Sequence, residues 1–187
     1  MAITLSWDLF IIVFFTVIIA YSFIIGKHQT LKVIIGTYIA VLTADGLGNL
    51  IQQYVFGNSP ALKILPAAYE DRALILLKIF VFILVIVVIS VRGGFHIDLP
   101  IESTKIGQLL TTFCFGFLNA GLIVSTILVY VSGFSFVQGA SDIALSPIFS
   151  LYRDSQMVQI MINHYNFWFS LPAIAFVFQS FAGRDES

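Results

Sequence analysis

Apolar residues in this chain fall into long unbroken runs separated by short polar interruptions, and the length of the runs predicts the elements. Crossing about 30 Å of hydrocarbon takes about 20 apolar residues in a helix. Residues 9–25 form the first such run, with Trp7 at its mouth like an interfacial anchor. Gly26, Lys27, His28 and Gln29 predict a very tight turn. A second, more polar run covers residues 33–50, and Gly57, Asn58, Ser59 and Pro60 then break the helix. A short surface helix is expected over residues 60–72, ending in Glu70, Asp71 and Arg72. Residues 73–91 are the third and most apolar run, closed by Arg92, Gly93 and Gly94, with Pro100 in the loop beyond. Residues 106–131 are the fourth.

A serine-rich stretch over residues 132–155 contains Pro147. The last segment, residues 157–182, is apolar in its second half but carries Pro172 there, and Asn163, His164, Tyr165 and Trp168 favour the headgroup zone. It is expected to lie in the interface or re-enter partway, with a fifth crossing as the alternative. The pattern thus predicts an all-α integral membrane protein: four transmembrane helices plus a C-terminal interfacial or re-entrant helix. Residues 1–131 would be the four-span domain, and residues 132–187 a polar loop and an amphipathic or re-entrant helix. The chain carries no internal repeat.

Composition agrees. Of 187 residues, 59% are apolar and 10% charged, against about 45–50% and about 25% in soluble domains. That is more apolar surface than a soluble globule of this size can bury, which excludes a soluble enzyme, a disordered tail and a disulfide-stapled module. A net charge of −1 excludes a polybasic footprint for nucleic acid. The single cysteine, Cys114, lies between Phe113 and Phe115 and is expected to be buried and inert. The N-terminus has no basic region and no cleavage site, so the first run reads as an uncleaved span.

Lysine and arginine placement sets the orientation. Lys27, Lys32, Arg92 and Lys105 fall on one side, Lys63, Arg72, Arg153 and Arg184 on the other. Only residues near span ends carry weight, which places the two short loops in the cytoplasm and both termini outside.

Helices in lipid pack where small side chains let backbones approach. Gly36, Ala40, Ala44 and Gly48, four residues apart, make such a stripe on the second span. Thr112, Gly116 and Ala120 repeat it on the fourth, beside Gly121 and Ser125. These read as helix seams, the alternative being a seam that lines a pore. The third span, with Phe80, Phe82, Ile83, Ile86 and Ile89, has no stripe and reads as lipid-facing.

A charge at the centre of a span costs about 2.5–3.5 kcal/mol. Asp45 lies near the end of the second span and Lys78 near the start of the third, at the same membrane face. Each could snorkel alone, or the two could pair structurally, or the pair could handle protons or ions. Asn119, in mid-span, is expected to hydrogen-bond between helices, and Asp8 to cap the first helix. His28, His96 and His164 are scattered, and no nucleophile, metal-ligand or phosphate-loop motif is present. No catalytic residue, metal or cofactor is expected.

These features resemble the colicin V production protein (CvpA) family. Trp7-Asp8 before an apolar span and a Gly26 turn is similar to the family's opening. CFGFLNAGLIVSTILVYV, residues 114–131, resembles its fourth-span signature, and Ser146-Pro147-Ile148 with the aromatics up to Trp168 resembles its tail. Asp8, Gly26, Gly116 and Asn119 occupy motif positions, although Ile25-Gly26 and Asn119-Ala120 stand where the family has Arg-Gly, and Thr112 where it has glycine. The resemblance implies a non-enzymatic, multi-pass protein of the bacterial inner membrane that supports toxin production or export and envelope homeostasis. Its expected partners are the bilayer and either a homo-oligomer or other membrane proteins. The alternative is a small ion or solute channel or transporter subunit formed by homo-oligomerisation, with Asp45, Lys78 and Asn119 inward. A membrane enzyme would require Asp8, Asp45 and a histidine in one pocket.

Overall fold

The computed structural model describes residues 6–56, 67–93, 105–133 and 148–182, and these are helical with no strand among them. The expected breaks at Gly57–Pro60 and Pro100, and His96, lie outside the described residues. In chain order the helices are α1 (Trp7–Ile51), ending in a π turn at Gln52–Phe56, α2 (Ala67–Arg92), α3 (Lys105–Val131), α4 (Phe149–Asp154), α5 (Gln156–Asn163) and α6 (Tyr165–Ala182). Among the described residues, three apolar stretches are long enough to cross a membrane: Trp7–Val55, Arg72–Arg92 and Lys105–Val131.

α1 is folded back on itself at one residue. Gly26 has φ 77° and ψ 171°, an extended positive-φ conformation that is open to glycine and costs an L-residue about 1–3 kcal/mol. The predicted turn is thus a single-residue break, and Lys27–Gln29 are already helical. Thr30 closes the gap by donating its hydroxyl to the Gly26 carbonyl at 2.9 Å and, more weakly, to Ser22 at 3.5 Å.

The packing register gives the direction of each arm. In the first arm, residues 7–25, Ile11 clusters with Val124 and Leu128, while Ser22 meets Gly116, so it runs antiparallel to α3. In the second, residues 27–51, Leu31 and Ile34 pack on Phe115, and Val41 accepts from Tyr130, so it runs parallel to α3. The two arms therefore form a helical hairpin. α2 lies antiparallel to the second arm, with Ile89 against Gly36 and Lys78 against Gly48.

The small-residue stripes are seams. A Cβ at Gly36 would stand 2.9 Å from Ile89, and one at Gly116 would stand 2.9 Å from Ser22. Ala40, Ala44 and Ala120 are wholly buried, and Thr112 is buried and donates to its own helix at Gln108. Gly121 receives the indole of Trp168 so closely that a Cβ there would lie 2.0 Å from the ring.

Two expectations need correction. α2 is not wholly lipid-facing: Phe80 is exposed, but Phe82 is fully buried against Ala40, Ala44 and Tyr130. The small stripe that admits it lies on the partner helix, so α2 needs no stripe of its own. Cys114 is exposed, because the buried face of α3 passes through Thr112, Phe115 and Gly116 instead.

α5 and α6 descend along α3 in the opposite direction. Ser125 donates to the Met161 carbonyl at 3.2 Å, Trp168 covers Gly121, and Phe176 packs beside Leu31 and Phe115. Pro172 lacks the N–H that a helix interior uses. Beside it, the Tyr38 hydroxyl enters the ladder, donating to the Phe169 carbonyl and accepting from Ala173 N–H at 3.1 Å.

Candidate functional site: an ion pair between two helices

Asp45 and Lys78 meet. Lys78 Nζ donates to Asp45 Oδ1 at 3.0 Å, with the Asp45 side chain wholly buried and that of Lys78 12% exposed. The pair arises from three local choices. Asp45 follows Ala44 on the face of the second arm that meets α2. Gly48, three residues on, has no side chain, and the lysine stem lies across it. A Cβ at Gly48 would come within 2.5 Å of Lys78 Cε. Tyr130 closes the third side, its ring centroid 5.9 Å from Lys78 Nζ.

Tyr130 is itself held on two sides. Its hydroxyl donates to the Val41 carbonyl at 3.1 Å, and its ring stands edge-on to Phe82 at 5.9 Å. The site thus draws on α1, α2 and α3 at one end of the bundle. Asn49, one turn beyond Asp45, has a buried amide oxygen that accepts from no group among the described residues. Removing two charges from water is costly, and their mutual attraction offsets that only in good geometry. The short contact, the aromatic face beside the ammonium and the snorkelling stem supply it. Chemically, the cluster can fasten α2 to the hairpin or exchange a proton between carboxylate and amine.

The other singled-out residues lie apart from it. Asp8 does not cap its own helix. Ser6 does, accepting from Leu9 N–H at 3.2 Å. The Asp8 carboxylate reaches instead to the start of α5, accepting from the Ser155 hydroxyl at 2.6 Å and from Met157 N–H at 3.0 Å. Ser155 is the N-cap there and accepts from Val158 N–H. A carboxylate near a helix start serves any orphan N–H within reach, and spacing along one chain does not say whose.

Asn119 is 2% exposed, and its amide oxygen accepts from no group among the described residues, so that oxygen does not make the expected interhelical bond. Reasoning from sequence missed Tyr130 and Tyr38. Their signal was a phenol inside an apolar span, where the hydroxyl needs a partner. Among the described residues no three His, Cys, Asp or Glu side chains gather as a metal site. An apolar groove of about 270 Å³ lies between the first arm, α3 and α4–α5, lined by Phe10, Phe14, Ile127, Val131 and Leu151.

No family model, no curated protein and no solved structure matches this chain.

Proposed function

We propose that this chain is a non-enzymatic accessory protein of the bacterial inner membrane that supports export or envelope homeostasis within an assembly, as its resemblance to the colicin V production protein family implies. One observation carries the reading. Of the four motif positions behind the resemblance, Asp8 fastens α5, Gly26 reverses the chain, Gly116 admits the first arm, and Asn119 is buried in α3. The first three hold helices of this chain together, as a scaffold requires. Gentle solubilisation from native membranes, followed by native mass and composition, tests it. A stoichiometric second protein, bound to one copy of this chain or to two, supports the accessory reading, and a particle made of this chain alone counts against it.

In this reading the arms of α1, together with α2 and α3, make four crossings. The face at Gly26, with Lys27, Lys32, Arg92 and Lys105, lies in the cytoplasm, and Trp7 lies outside. The register of α5–α6 against α3 favours a fifth, broken passage that returns the C-terminal end to the cytoplasmic side. That departs from the expectation of both termini outside. Thiol labelling from each side of the membrane distinguishes the two.

The Asp45–Lys78 pair favours a second reading, a conduit subunit, because charge at membrane depth accompanies ion and proton paths. Flux through reconstituted protein under an imposed potential, abolished by Asp45→Asn, would establish it. Folded, oligomeric protein that passes no ions would exclude it.

A further inference from the structure

The α5–α6 run is broken at His164, and the break is set deep. Trp168 covers Gly121, which at about 1.5 Å per residue lies roughly 15 Å short of the last residue of α3. His164, one turn earlier, is then roughly 9 Å below that end. Asn163, His164, Asn166 and Ser170 are all exposed on the outward side of this run. Polar side chains and interrupted backbone at such depth are tolerated where protein covers them.

The chemistry of this side selects its cover. None of the four side chains carries a fixed charge. His164 Nδ1 lies 3.1 Å from the Ile160 carbonyl, which can only accept, so Nδ1 is the donor of that contact. The Asn166 amide both donates and accepts, and Asn163 Oδ1 already accepts from the Tyr152 hydroxyl at 3.0 Å. A surface without fixed charge that offers donors and acceptors together is complementary to itself in charge and in hydrogen bonding. Two copies of one membrane protein share one orientation, so a two-fold axis along the membrane normal brings this side against its own image.

We propose that the outward side of α5–α6, through Asn163, His164, Asn166 and Ser170, is the seam by which two copies of this chain associate in the bilayer. The proposal rests on the reading that α5–α6 lies at bilayer depth. Amide and imidazole bonds across it replace lipid contact, as they do between membrane helices generally.

Disulfide cross-linking in native membranes tests it. In a Cys114→Ser background, Asn166→Cys and Ser170→Cys are oxidised with copper phenanthroline, with Val87→Cys on exposed α2 as the control. A species of twice the monomer mass from positions 166 and 170, and not from 87, is expected. The same cysteines are treated with a membrane-impermeant maleimide before and after the membranes are opened. Positions that stay unlabelled yet form no dimer overturn the seam and leave the depth intact. Ready labelling of Ser170→Cys overturns the depth, and the seam with it. A cross-linked product of any other mass also overturns the proposal, because the partner is then another protein. Adding Asn166→Leu to Ser170→Cys should weaken association about tenfold or more, and an undiminished dimer band would show that the polar groups are not what joins the copies.

Discussion

Lys78 Nζ lies 3.0 Å from Asp45 Oδ1, joining α2 to the second arm of α1 through a carboxylate with no exposure. Breaking a buried pair from one side leaves a charge in hydrocarbon, whereas removing both leaves none. Asp45→Asn or Lys78→Met alone is expected to cost about 3 kcal/mol, seen as a lower melting temperature in detergent. The double substitution should recover most of that loss. A double variant no more stable than the worse single one would mean that the contact contributes nothing as a pair.

Gly26 is the residue on which the hairpin turns, at φ 77°. Gly26→Ala meets no neighbouring atom, so its cost is purely conformational, about 1–3 kcal/mol. Gly26→Asn should cost as much, since ψ 171° lies outside the left-handed helical well that asparagine tolerates. Thermal denaturation of the three proteins would place the parent above both variants, and an Ala variant as stable as the parent would refute the strained-turn account.

Gly121 and Trp168 form a lock of another kind. Gly121→Ala places a methyl inside the volume of the indole and must displace α6, at an overpacking cost of about 1–3 kcal/mol. Trp168→Leu should restore packing against the alanine, so the two substitutions are expected to be strongly non-additive. Additive losses in a double-mutant cycle would separate the two residues.

Asp8 holds the first turn of α5 across the bundle, by way of Ser155 and Met157. Asp8→Asn should speed amide exchange at Met157 and Val158 while leaving that of α2 unchanged. Ser155→Ala should act on the same amides. Uniform acceleration across all helices would point to general destabilisation instead.

How much of this was legible beforehand follows from the range of each interaction. Run length, the turn at Gly26 and the two small stripes are local, and one helix at a time suffices to read them. The apolar runs accordingly recur in helices, with three stretches long and apolar enough to cross a membrane among the described residues. Asp45 and Lys78 could be placed at one face because antiparallel order and 1.5 Å per residue fix depth. Depth alone did not say which way each side chain turns, and Gly48 decides that by leaving the lysine room.

By itself, the sequence determined an all-helical chain with segments apolar enough to cross a membrane, because hydrophobicity and helical period are carried by neighbours. Which helix each special residue serves was decided by the tertiary structure alone. Asp8 holds the first turn of α5 from about 150 residues away in the chain. Tyr38 enters the helix ladder beside Pro172, and Phe82 fills a seam whose small residues belong to another helix. In lipid no hydrophobic force draws helices together. Their partners are therefore chosen by fit and by the few polar groups that must be satisfied, and both are properties of facing surfaces.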